Sequence, residues 1–316
     1  MLFLPHLFFL IMINKNKYLN KKFTMGGKPR ASVKLNSLET LWFNTGTLCN
    51  LNCQGCYIES SPYNNSLEYI KFEEVKFHID EIVSNNLKTS IIGFTGGEPF
   101  MNPDIINILK YVLNSGFNTL VLTNGMRPIK LKFQDILNLP FLNNMKIRVS
   151  IDHYLKPLHE KIRGINTWDS LIDNIVWLKK NNIKLDIASR LEDGENETDK
   201  REGFKNLFKK IGISIDAYDN KTLVLFPPMN MEKPSTEITQ DCWKILNKKP
   251  EDLMCSNSRM IVKKKGEKST KILACTLITK DKNFELGKTI MKANKNVTLC
   301  HPFCSQFCFL GNSSCN

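Results

Sequence analysis

The sequence has no apolar run of the roughly 18 to 20 residues that a membrane-spanning helix needs. Its apolar N-terminal stretch, MLFLPHLFFLIMI, is thirteen residues long and broken by Pro5. Gly 16 and Pro 13 in 316 residues are too few for a collagen-like or low-complexity chain. Acidic residues are in deficit, Asp+Glu 31 against Lys+Arg 44, for a formal net charge of +13. That imbalance attracts acidic partners at long range but specifies no fold. The Lys263–Lys265 run lacks interleaved aromatic residues, which argues against a nucleic-acid partner. No repeat of solenoid period is present.

What is present is an apolar fraction of 42%, enough for a substantial core, and ten cysteines. A chain of this size does not need disulfides for stability. The cysteines cluster as Cys49, Cys53 and Cys56 and, after an isolated Cys242, as Cys255, Cys275, Cys300, Cys304, Cys308 and Cys315. Clustering points to metal or iron-sulfur ligation in a reducing compartment. Residues 1–38 carry no recognisable chemistry. Lys15, Lys17, Lys21 and Lys22 follow the apolar stretch, whereas a secretory signal carries its charge before it, and no small-residue cleavage site is evident. A mistaken start upstream of Met12 or Met25 and a weak membrane or organelle address both remain open, and the expected location is the cytoplasm.

From residue 39 the sequence alternates branched apolar runs with amphipathic stretches. Strands are expected at 40–44, 90–94, 118–122, 146–150, 184–188 and 222–226, and helices at 72–83, 105–113 and 168–178. Repeated βα units imply a parallel sheet wrapped by helices, and no GxGxxG follows the first strand candidate. The expected fold is therefore α/β, a partial TIM-type (β/α)6 barrel over residues 39–226. At Pro227 and Pro228 the pattern breaks, and residues 227–316, with seven of the ten cysteines, are expected to form a small Cys-rich C-terminal domain.

Cys49, Cys53 and Cys56 make a C-x3-C-x2-C loop directly after the first strand. A 4Fe-4S cluster takes four ligands, so three thiolates leave one iron open to a small molecule. Structural zinc is the competing reading, though it usually uses paired C-x2-C units with a fourth ligand nearby. Further on, Thr95-Gly96-Gly97-Glu98-Pro99 follows the second strand, Thr123-Asn124-Gly125 ends the third and Ser150-Ile151-Asp152 ends the fourth. Glycines allow close backbone approach to a ligand, and Glu98 could accept a hydrogen bond from an ammonium group.

These motifs, with Tyr57 beside the third cysteine, resemble the radical S-adenosylmethionine (SAM) superfamily over about residues 40–226. The resemblance implies a 4Fe-4S cluster on Cys49, Cys53 and Cys56 that binds SAM at its open iron. It implies SAM contacts from Gly96, Gly97, Glu98, Thr123 and Ser150, with Arg190 offering a fork to the SAM carboxylate. Capping hydroxyls are the alternative for Thr123 and Ser150, and a solvated arginine for Arg190. The implied reaction is reductive cleavage of SAM to a 5′-deoxyadenosyl radical, which abstracts hydrogen from a peptide or a small cofactor precursor. An external low-potential reductant is implied with it. His153 and His159 receive no catalytic role.

Cys255 and Cys275 flank a hairpin expected to turn near Gly266, and Cys300-x3-Cys304-x3-Cys308-x6-Cys315 follows. This resembles the SPASM or twitch extension of the superfamily, which holds auxiliary 4Fe-4S clusters, although the downstream spacing departs from the usual run. The six cysteines together are read as ligands of one or more such clusters, with a zinc knuckle as the alternative. Cys242 is read as a packed thiol. Two rival functions are a Cys-rich zinc protein binding nucleic acid and an iron-sulfur electron carrier without SAM chemistry.

Overall fold

The computed structural model describes residues 17–231 and 233–315. The described strands are β1 (Ser32–Val33), β2 (Thr40–Asn44), β3 (Ile91–Thr95), β4 (Asn118–Thr123), β5 (Met145–Ser150), β6 (Lys184–Arg190), β7 (Leu223–Phe226), β8 (Ser258–Val262), β9 (Lys271–Leu273), β10 (Glu285–Gly287) and β11 (Val297–Thr298). Branched and aromatic residues favour these runs, and burial on both faces excludes the polar alternation of a half-wetted strand. Every residue of β2 (TLWFN) and β8 (SRMIV) is buried.

Strands β2 to β7 lie side by side in chain order and pair in parallel throughout. Each crossover carries helix: Phe72–Ser84, Ile105–Asn114, the short Arg127–Lys130 and Phe133–Leu137, then Lys156–Arg163 with Trp168–Lys180, and Glu197–Lys210. This is the expected α/β arrangement of a partial (β/α)6 barrel. β7 does not pair with β2; the β2 edge is taken by β8 instead, parallel, with Trp42 opposite Met260.

β8 and β9 form the expected antiparallel hairpin, in the register Met260↔Leu273, and Gly266 adopts φ +74° in the connection. β10 completes the nine-stranded sheet, so residues after Phe226 extend the sheet of the barrel strands. β1 pairs with β11, tying the N-terminal segment to the C-terminal one. Among the described residues no helix is long and apolar enough to cross a membrane. The apolar stretch at residues 1–13 lies outside the described residues.

Parallel strands in sequence order put all their carboxyl ends on one rim, where barrels place their reactive groups. The cysteine loop follows β2, the Gly-Gly turn follows β3, and Thr123, Ser150 and Arg190 are the last residues of β4, β5 and β6.

Candidate active site

Cys49, Cys53 and Cys56 all line one cavity of about 150 Å³ at this rim, together with Gly96, Gly97, Thr123, Ser150 and Arg190. All three thiols are free. Burial pushes the Cys49 thiol up to about 11 and raises Cys53 as well, with the Arg163 charge pulling Cys53 back down. Such thiols become thiolates when a cation compensates them, which is the chemistry of metal ligands. Three soft donors on one wall fit a cluster that needs one ligand more than the loop provides.

The Gly-Gly turn is set by contact with the cysteine loop. A Cβ on Gly97 would stand 2.1 Å from the Leu48 carbonyl oxygen, and one on Gly96 would stand 2.6 Å from that of Gly46. The Gly97 amide donates to the Gly46 carbonyl at 2.7 Å and the Glu98 amide to that of Leu48 at 3.1 Å. Only residues without a side chain allow two backbones to come this close. The glycines thus seat the loop that carries the thiols as well as lining the cavity.

Glu98 is placed differently from the expectation of an open ammonium site. It is 1% exposed. Its Oε1 accepts from the Phe100 amide at 3.1 Å and the Thr123 hydroxyl at 2.9 Å, and its Oε2 accepts from the Asn124 amide at 2.8 Å. Burial pushes this carboxyl up to about 7, against the pull of those donors. Its acceptors are engaged inside the protein, because the turn after β3 must be joined to the end of β4.

Arg190 is also engaged. Its Nε donates to Asp152 Oδ1 at 3.0 Å, its Nη1 to the Gly55 carbonyl at 2.9 Å and its Nη2 to the Gln54 carbonyl at 3.1 Å. Asp152 receives Arg163 Nε as well, at 2.7 Å. Burial would raise the Asp152 carboxyl, but Arg163 and Arg190 hold it well below the usual carboxylate range. The guanidinium expected to fork a ligand carboxylate therefore already grips a carboxylate and the cysteine loop.

Asn124 and Asp152 stand within the strand-end motifs without an assigned role, and Arg163, the last residue of the helix Lys156–Arg163, lies outside those motifs. The signal for Asn124 and Asp152 is position, just beyond the ends of β4 and β5. Arg148, missed altogether, is a mid-strand residue in the cavity wall, buried, with its Nη1 donating to the Cys315 carbonyl at 2.9 Å. Nothing in its local sequence marks it.

The second cysteine group separates into two sets. Cys255, Cys275, Cys304 and Cys308 line a second cavity of about 20 Å³. Cys304 and Cys308 sit four residues apart on a π-helical turn, Cys304–Phe309, whose wide pitch is confirmed by the Leu310 amide donating to the Ser305 carbonyl at 2.8 Å. Burial pushes Cys255 up to about 12 and raises the other three. Cys300 and Cys315 are not in that wall. Cys315 accepts from the Thr276 hydroxyl at 3.3 Å, and its amide meets Met254 Sδ at 3.1 Å. Cys242 is half-buried beside Thr239.

The family model for the radical SAM superfamily matches residues 43–202. The subtilosin biosynthesis protein AlbA of Bacillus subtilis is 34% identical over 116 residues, 37% of this chain and 25% of that protein. An AdoMet-dependent heme synthase of Oleidesulfovibrio alaskensis is 26% identical over 164 residues, 51% of this chain and 39% of that one. The chain thus spans between a quarter and about two fifths of these curated relatives. Among solved structures, Streptococcus suis SuiB bound to S-adenosylmethionine superposes with a TM-score of 0.58 at 12% identity, covering 79% of this chain and 63% of SuiB. Native anSMEcpe with bound AdoMet gives 0.56 at 14% identity, with coverage of 80% and 79%.

Proposed function

The chain belongs to the radical SAM superfamily, and from that premise we propose that it reductively cleaves SAM to generate a 5′-deoxyadenosyl radical for hydrogen abstraction from a substrate. One observation carries the reading: the three thiols of C-x3-C-x2-C line a single cavity with the ends of β3, β4 and β5. When bound there, a 4Fe-4S cluster with SAM supplies the one-electron cleavage of the cofactor. Cys49, Cys53 and Cys56 are the ligands. Gly96, Gly97, Thr123 and Ser150 border the cofactor, Arg190 and Asp152 brace the ligand loop, and the cavity limits water around a reactive species.

The auxiliary site is the four-thiol cavity of Cys255, Cys275, Cys304 and Cys308, a full ligand set for one further 4Fe-4S cluster. Residues 39–226 form the core unit and 227–316 the auxiliary one. Substrate is a peptide: AlbA is a bacteriocin biosynthesis protein, and SuiB is solved with the precursor peptide SuiA at a TM-score of 0.57. A small cofactor precursor is the second reading, favoured by the heme synthase relatives. An external low-potential reductant and a cytoplasmic setting complete the proposal.

The deciding experiment is anaerobic reconstitution followed by dithionite and SAM. The wild-type protein yields 5′-deoxyadenosine, and Cys49→Ala, Cys53→Ala or Cys56→Ala abolishes it. Iron-loaded protein that leaves SAM intact would be an electron carrier, and a colourless protein with stoichiometric zinc would restore the zinc reading.

A further inference from the structure

Cys49 differs from an isolated ligand in having two hydrogen-bond donors aimed at its sulfur: the Leu51 amide at 3.4 Å and the Asn124 carboxamide Nδ2 at 3.5 Å. The second is a side chain, buried and held on every side. Asn124 Nδ2 also donates to Asn50 Oδ1 at 2.9 Å, its Oδ1 accepts from the Met126 amide at 3.0 Å, and its own amide is fixed by Glu98 at 2.8 Å. The Met126 contact requires the oxygen on that side, so both Nδ2 hydrogens face Asn50 and Cys49 and a flipped amide is excluded.

We propose that Asn124 is a positioning residue that tunes the core cluster: its carboxamide donates to Cys49 Sγ and raises the reduction potential of the iron-sulfur group held by Cys49, Cys53 and Cys56. The inference rests on the cluster reading above and adds to it. Reduction places more negative charge on the ligand sulfurs, so a donor to sulfur stabilises the reduced state more than the oxidised one. The bond also gives Glu98 a purpose. That buried carboxylate ties Thr123 and Asn124 to the Gly-Gly turn, which itself seats the cysteine loop, so ligand and donor are registered to each other by one side chain.

The test is a potentiometric electron paramagnetic resonance titration of full-length reconstituted protein, following the signal that changes when SAM is added. Asn124→Ala and Asn124→Asp both remove the donor. Each is expected to lower the midpoint, moving the reduced-to-oxidised ratio at the wild-type midpoint about fivefold towards oxidised, the scale of one net hydrogen bond. An unchanged midpoint in a variant that keeps its core irons overturns the inference. Wild-type protein that assembles no SAM-responsive cluster overturns the parent reading and the inference with it. If both variants shed the core irons, wild-type protein carrying 15N in asparagine side chains decides: a 15N hyperfine coupling on the SAM-responsive signal supports the bond, and its absence overturns it.

Discussion

Arg190, the last residue of β6, closes on Asp152 just past the end of β5, with Nε 3.0 Å from Oδ1, while its two terminal nitrogens hold the carbonyls of Gln54 and Gly55. The loop carrying Cys49, Cys53 and Cys56 is thereby fastened to two strand ends. The loop lies outside the sheet ladder, and its other anchors include the Gln54 amide on the Ile162 carbonyl, the Cys49 amide on the Ser61 carbonyl and the Asn124 carboxamide on Asn50 Oδ1.

Replacing Arg190 by Lys should therefore loosen the ligand loop. One ammonium cannot hold a carboxylate and two carbonyls in the geometry of a planar fork. The expected outcome is partial loss of the core irons after reconstitution and a stability loss of about 1 to 3 kcal/mol in urea unfolding of the metal-free protein. Full iron content with weakened SAM binding would instead assign the guanidinium to the cofactor carboxylate.

Asp152 sets a pH dependence with a definite sign. Its folded pKa lies below the unfolded value of about 4. Its stabilising contribution is therefore fully present above that value and is lost as pH falls through it towards the folded pKa. Urea midpoints of the metal-free protein should show this component as level from pH 8 to 5 and declining below about pH 4. Asp152→Asn should remove that component of the decline and lower the plateau, because Arg163 and Arg190 then face a neutral amide. Parallel curves for the two proteins would deny Asp152 this role.

Six strands and three helices were legible within a residue or two, because the strands are short runs rich in branched apolar residues and the helices repeat apolar residues at period 3.6. Two helices of eight residues or more were not, nor were the short ones at Arg127–Lys130, Phe133–Leu137 and Asp241–Ile245. Lys156–Arg163 buries His159 alone, and Glu197–Lys210 turns Lys200 and Arg201 inward beside Phe204, Leu207 and Phe208. Lys200 is buried with Glu195 at 2.7 Å, so a charged residue occupies a core position and breaks the pattern. Within the site, spacing exposed Cys49, Cys53 and Cys56. The bracing by Glu98 and Arg190 was hidden, since motif reading assigns a charged residue to a ligand before it can see neighbouring strand ends. Likewise the division of the C-terminal cysteines depends on how a hairpin and a π-helical turn meet.

Gly97→Ala should fail where Gly116→Ala is tolerated better. The new methyl at 97 would lie 2.1 Å from a backbone oxygen, which cannot rotate away, whereas nothing stands within 4 Å at Gly116 and only its φ of +86° is strained. Overpacking of this kind costs about 1 to 3 kcal/mol or more, and the strained φ at 116 about 1 to 2 kcal/mol. The readout that separates them is iron: Gly97→Ala should lose core irons along with thermal stability, and Gly116→Ala should lose stability alone. Equal iron in both would mean the turn does not seat the ligand loop.

The C-terminal cysteines allow the sharpest discrimination. Four thiols share one cavity wall, and a second cube needs four. Wild-type protein should hold about eight irons, and Cys255→Ser, Cys275→Ser, Cys304→Ser or Cys308→Ser should each bring it towards four. Cys300→Ser and Cys315→Ser should leave the count near eight. Cys315 is bound through its sulfur to Thr276, through its amide to Met254 and through its carbonyl to Arg148 in the wall of the first cavity. Its replacement should therefore disturb the core site, lowering SAM affinity in a binding titration, before it disturbs iron content. A loss of four irons in Cys315→Ser with Cys308→Ser unaffected would reverse the assignment of these two residues.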